Sequence, residues 1–170
     1  FGPHVRAWDF DGGPLAPMSK ISFFAYQTLR WGARADGGDV NAFVREEILT
    51  APGPGDVFGP HVRGFSFEGN VLSAISTLNF FAFGTGLRGA TVSAADVESD
   101  GYGAWGDGFD EVVVGRGPDP LVGADVRLFD HDGAAISQKY EITASAYAYG
   151  ATVAGGDVDA GDADEVVTAP

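Results

Sequence analysis

The chain has 170 residues, a formal net charge of −14 and no cysteine. That length can bury a full core, and one domain is the default. The absent thiols exclude disulfides, thiol catalysis and zinc–thiolate sites, and the acidity argues against nucleic-acid binding, which needs a basic footprint.

The chain opens on Phe1-Gly2-Pro3-His4-Val5-Arg6. A first strand is predicted over Pro3–Phe10, with alternate residues on opposite faces. Asp11-Gly12-Gly13 is a turn signal. Further strands are predicted over Ile21–Tyr26, near Trp31–Ala35, and over Glu47–Ala51. The last is closed by Pro52-Gly53-Pro54-Gly55, because proline cannot extend a ladder. Val40–Leu49 is the best helix candidate, but Val44-Arg45-Glu46-Glu47 reads better as an acidic loop entering a strand.

The opening phrase then returns as Phe58-Gly59-Pro60-His61-Val62-Arg63, and more loosely as Val122-Gly123-Ala124-Asp125-Val126-Arg127. A period of this kind is the signature of a repeat architecture. Gly2 to Gly59 is 57 residues and Gly59 to Gly123 is 64. The extra seven residues (64 − 57) fall in the second acidic loop, at about 100–106, Asp-Gly-Tyr-Gly-Ala-Trp-Gly. Three units follow, 1–57, 58–121 and 122–170.

The second unit predicts strands over Pro60–Phe67, Leu78–Phe83, Gly89–Ala95 and Glu111–Gly115, with a turn at Glu68-Gly69-Asn70. The third predicts Ala124–Phe129, Ile142–Tyr147, Gly150–Ala154 and Glu165–Thr168, with a turn at His131-Asp132-Gly133. With 26 glycines and 9 prolines between short Val/Phe/Ile/Thr runs, the expected fold is all-β. Three four-stranded units fit propeller blades, giving a partial β-propeller that self-association would complete. A β-trefoil is the alternative, because it also closes with three such units. The cut falls between units, so each sheet is expected to be complete within its own unit, with no terminal strand left to share.

Five phrases in the second unit carry a family likeness: Gly59–Arg63, Phe80–Phe83, Gly89–Val97, Asp107–Gly115 and Gly117-Pro118. Together they resemble the FG-GAP/VCBS repeat of bacterial exported β-propellers, and the likeness runs through all three units. The resemblance implies an extracellular or cell-surface protein serving adhesion, recognition or scaffolding. It also implies acidic loops that hold Ca²⁺. Three blades depart from the six or seven of the family, and an open arc of three would expose its ends. Two copies completing a six-bladed ring, end-to-end stacking into a fibre, or a place within a longer protein are the alternatives.

Calcium loops need alternating oxygen ligands, a glycine turn and a closing carboxylate. In the second unit the candidate ligands are Asp96, Glu98, Asp107 and Glu111. In the third they are Asp157, Asp159, Asp162 and Glu165. In the first, Asp39, Asn41 and Glu47 are in place, but Phe43 stands where a third ligand belongs. The competing reading of each loop is a turn in which carboxylates cap backbone N–H groups.

His4 and His61 recur at one position and read as strand residues. Arg6, Arg63 and Arg127 recur in every unit and read as structural ties between blades, with Asp110 and Asp164 as expected partners. Phe23, Phe24 and Tyr26, with Phe80, Phe81 and Phe83, read as packing between blades. Tyr147 and Tyr149 predict a thinner third interface. Tyr102 and Trp105, on the glycine-rich insertion, are the candidate ligand-binding pair, since exposed aromatics can stack on sugars.

There is no phosphate loop, no Gly-x-Ser-x-Gly and no paired-histidine metal motif, and no two carboxylates are singled out as a glycosidase pair. No run is long enough to span a membrane as a helix. The chain opens without Met or a leader pattern, as a mature or trimmed product would. The expected function is therefore an extracellular, non-catalytic structural or interaction protein that forms homo-oligomers or polymers. A carbohydrate-binding lectin, with a glycan as partner, is the alternative.

Overall fold

Short β-branched and aromatic runs between glycine and proline turns form twelve strands in the computed structural model. It describes residues 2–28, 30–41, 45–98, 108–131, 136–146, 148–161 and 163–170. There is no helix among them.

The strands are β1 (His4–Asp9), β2 (Ala16–Phe24), β3 (Ala33–Gly38), β4 (Glu47–Pro52), β5 (His61–Glu68) and β6 (Val71–Thr85). They continue as β7 (Ala90–Ala95), β8 (Glu111–Arg116), β9 (Ala124–His131), β10 (Ile136–Ser145), β11 (Thr152–Gly156) and β12 (Glu165–Ala169). Each of the twelve overlaps a predicted strand.

The second strand of each unit starts earlier than its apolar run. Thus β6 begins at Val71, directly after a tight turn in which Gly69 and Asn70 both take positive φ, 54° and 66°. That turn matches the right-handed twist of a hairpin, so backbone pairing carries the ladder through residues 71–77, which are exposed or half-buried. His131 was expected in a turn; it lies in β9, buried, with its ring nitrogens hydrogen-bonded to the Val40 carbonyl and the Thr77 hydroxyl.

The hydrogen-bonded sheets do not follow the repeat boundaries. They are β1-β2, β3-β4-β5-β6, β7-β8-β9-β10 and β11-β12, all antiparallel. Each four-stranded sheet joins the last two strands of one unit to the first two of the next. The expectation that every sheet is complete within its unit is therefore corrected. The short Pro-Gly connectors hold β4 beside β5, and the matching connector holds β8 beside β9. Among the described residues, β1-β2 and β11-β12 are therefore two-stranded sheets.

The four sheets stack face to face in chain order. Val5, Ala25, Tyr26 and Phe65 join the first sheet to the second. Leu49, Val62, Leu78, Val92, Val112 and Val114 are among the residues joining the second to the third. Val113, Val126, Leu128, Ala151 and Val153 join the third to the fourth. The run Val112-Val113-Val114 is fully buried because β8 is covered on both faces. Each such valine contributes about 1.5–3 kcal/mol by leaving water.

Candidate functional site

Two recurring contacts tie each sheet to the next, and both come from repeated residues. The first is an arginine. Arg63, on β5, donates from Nη1 to the carbonyl of Ala25 at the end of β2. Arg127, on β9, donates from Nη1 to the carbonyl of Ala82 at 2.8 Å and pairs with Glu141 at 3.0 Å. Both guanidinium groups also lie over phenylalanine rings, Phe65 and Phe83. The expected partners were Asp110 and Asp164; the strand register instead brings a backbone carbonyl of the preceding sheet into reach.

Those two aspartates form the second tie. The N–H of Asp110 donates to the Asp39 carbonyl at 2.8 Å, and the Asp39 N–H donates to Asp110 Oδ2 at 2.9 Å. One unit on, the Asp164 N–H donates to the Asp96 carbonyl at 2.7 Å, and the Asp96 N–H donates to Asp164 Oδ2 at 3.3 Å. Burial pushes the Asp110 carboxyl up to about 6. The signal was present in the sequence: an acid stands directly before the closing Glu111 and Glu165, as Glu46 stands before Glu47.

Among the described residues these ties have no counterpart at the ends of the stack. Arg6, at the position of Arg63 and Arg127, is exposed and makes no hydrogen bond or ion pair among the described residues. Trp8, at the position of the buried Phe65 and Phe129, is 52 % exposed. Val167, at the position of the fully buried Leu49 and Val113, is 47 % exposed. β3 is exposed from Arg34 to Gly37, whereas the corresponding strand β7 is largely buried between β3 and β11.

The acidic loops differ from one another. In the third, one ligand atom each from Asp157, Asp159 and Glu165 lies within 4.8 Å of the others. Two of these carboxylates also cap the loop, Asp159 accepting from the Gly161 N–H at 2.8 Å and Glu165 from the Val158 N–H at 2.9 Å. The loop has both the oxygen donors a divalent cation takes and the capping of a metal-free turn. Asp162 lies outside the described residues.

In the second loop Glu111 accepts from the Val97 N–H at 2.9 Å and Asp96 from the Gly108 N–H at 2.9 Å. Glu98 pairs with Lys139 at 3.3 Å, so this carboxylate already has a cation. Asp107, Tyr102 and Trp105 lie outside the described residues. In the first loop Glu47 is buried, with its carboxylate hydrogen-bonded by Asn41 and the Val40 backbone. Burial pushes Glu47 up to about 7. Its Oε2 and Asp39 Oδ1 are buried with no hydrogen-bond partner among the described residues.

A pocket of about 160 Å³ lies at the starts of the inner strands β3, β7 and β11, away from the acidic loops that follow their ends. Arg34, Arg88, Arg116 and Tyr149 line it. Arg88 pairs with Asp56 at 2.9 Å and Arg116 with Asp125 at 3.0 Å. Arg34 has no ion pair among the described residues.

The predicted histidines are strand residues that stack on aromatics. His4 lies 4.8 Å from Phe24 and His61 lies 4.6 Å from Phe81, ring to ring. Of the phenylalanine pairs, Phe23 and Phe80 pack between sheets, on Phe65 and Phe129, whereas Phe24 and Phe81 are exposed.

No helix among the described residues is long and apolar enough to cross a membrane. No protein-family model matches the chain, and no curated protein matches it.

Proposed function

We propose that this chain is a non-catalytic structural and interaction protein, a partial β-propeller of FG-GAP/VCBS-like repeats that works by associating with copies of itself. One observation carries the reading: among the described residues β1 and β12 each pair on one side only, whereas their counterparts β5 and β9, and β4 and β8, pair on both. Exposed strand edges are templates for pairing with another chain. The unmatched Trp8 and Val167 at the two ends add apolar area that a partner would cover. The resemblance to exported repeats carries the extracellular or cell-surface setting, where the acidic composition would keep the chain soluble.

Light scattering after gel filtration tests this directly. The expected result is a mass that is a multiple of 17.6 kDa. A strict monomer at every concentration would remove the reading.

The arginine-lined pocket supports a second reading, as a lectin for acidic glycans. Three arginines line it in a chain of net charge −14, Arg34 among them without an ion pair among the described residues, and Tyr149 lines it beside them. Binding of uronic-acid oligosaccharides, lost in Arg34→Ala, would favour it.

A further inference from the structure

We infer that the two half-sheets are the two parts of one four-stranded sheet, completed when β12 of one copy pairs antiparallel with β1 of a second copy. This rests on the self-association proposed above and specifies its geometry. The chain performs the same joint twice internally. β4 pairs with β5 through Ile48↔Phe65, Leu49↔Gly64 and Thr50↔Arg63. β8 pairs with β9 through Val112↔Phe129, Val113↔Leu128 and Val114↔Arg127. By the repeat, β12 stands where β4 and β8 stand, and β1 where β5 and β9 stand. The third joint is therefore Val166↔Trp8, Val167↔Ala7 and Thr168↔Arg6.

β1 and β12 lie in separate sheets and are not hydrogen-bonded to each other within the chain. The exposure pattern fits the joint. At these positions Leu49, Thr50, Val113 and Val114 are fully buried, while Val167 and Thr168 are exposed; Leu49 and Val113 pack on the sheet that follows, and no described sheet follows β12. The aromatic position is buried in Phe65 and Phe129 and half exposed in Trp8.

The same docking supplies the missing ties. β11 of the incoming copy packs beside β3, as β7 packs beside β3 and β11 beside β7 within one chain. That covers the exposed stretch from Arg34 to Gly37. Arg6 then faces the end of β10 of the incoming copy, as Arg63 faces Ala25 and Arg127 faces Ala82. Glu46 meets Asp157 of the incoming copy, as Asp110 meets Asp39 and Asp164 meets Asp96. The interface is head-to-tail, so its two surfaces are different and repetition yields a ring or a filament.

The chain has no cysteine, so single-cysteine variants report the register unambiguously. Four are made: Arg6→Cys, Ala7→Cys, Val167→Cys and Thr168→Cys. Directly opposite residues bring their Cβ atoms to about 4.5–5.5 Å, and adjacent pairs alternate between hydrogen-bonded and non-hydrogen-bonded sites, one of which suits a disulfide. Under mild oxidation, a two-chain species is expected from Arg6→Cys mixed with Thr168→Cys, or from Ala7→Cys mixed with Val167→Cys. None is expected from Arg6→Cys with Val167→Cys or Ala7→Cys with Thr168→Cys, whose side chains point to opposite faces. Circular dichroism of each variant verifies the fold.

If the native mass shows an oligomer but neither aligned mixture cross-links, this joint is wrong and self-association stands. If the double variant Ala7→Cys/Val167→Cys closes only within one chain, the joint is intramolecular and the inference is overturned. A monomeric native mass overturns both.

Discussion

Asp39 and Asp110 exchange two hydrogen bonds across the second and third sheets, with N···O distances of 2.8 and 2.9 Å. One bond is backbone to backbone. The other places a carboxylate on a backbone N–H that has left the ladder at the end of β3. Asp96 and Asp164 repeat the exchange across the next pair of sheets. The loop ends are therefore pinned sheet to sheet, in addition to being packed.

Asp110→Ala removes the acceptor and strands a part-buried N–H on Asp39. A loss of about 1–3 kcal/mol in unfolding free energy is expected from urea titration, because a buried donor without a partner bears its desolvation cost. Asp110→Asn retains a carbonyl oxygen as acceptor and should lose less than half as much. Equal losses in the two variants would show that the charge, not the hydrogen bond, matters.

Glu47 supplies a pH dependence whose sign is fixed. Its folded pKa is about 7, against 4.5 for the free side chain, and the cause is burial. Between those values the folded chain binds more protons than the unfolded one, so stability falls as pH rises from about 4.5 to about 7. The expected loss is on the order of 2 kcal/mol. Thermal melting at pH 5 and pH 8 reads it, and Glu47→Gln should flatten that part of the profile. A stability that rises across this interval in the wild-type chain alone would contradict the assignment.

The arginine ties make a paired prediction. Arg63→Ala removes a donor to the Ala25 carbonyl and a cation–π contact with Phe65, so it should destabilise the chain by about 1–3 kcal/mol. Arg6→Ala should stay within about 0.5 kcal/mol when unfolding is measured at dilutions where the chain is monomeric. Under assembling conditions Arg6→Ala should instead shift the mass distribution toward single chains. Comparable destabilisation of the monomer by both substitutions would place Arg6 inside the protomer's own packing.

Divalent cations are tested at the third loop. With Asp157, Asp159 and Glu165 providing oxygen donors, Ca²⁺ added to chelator-treated protein should raise the melting temperature by several degrees. The doubly substituted Asp157→Asn/Asp159→Asn chain should not respond. An unchanged melting curve with the native chain would leave the loop as a turn capped by its own carboxylates.

The sequence by itself determined the all-β class, the period and the approximate place of all twelve strands. Alternation, glycine turns and proline stops are local signals, and each acts within a few residues. It also marked Arg6, Arg63 and Arg127 as equivalent, because equivalence is a property of spacing. What it could not supply was the partner of each: Ala25 and Ala82 offer backbone carbonyls, which carry no mark in a side-chain pattern. Nor could it show that β6 would start at Val71, seven residues before the predicted run, on the strength of a two-residue turn.

Where each sheet is cut was decided only in three dimensions. A tandem repeat reads the same from any starting point, so its period does not say which neighbouring strands share a ladder. Backbone hydrogen bonds between β4 and β5, and between β8 and β9, place the joints inside the sheets, and that choice leaves Arg6, Trp8 and Val167 uncovered at the ends.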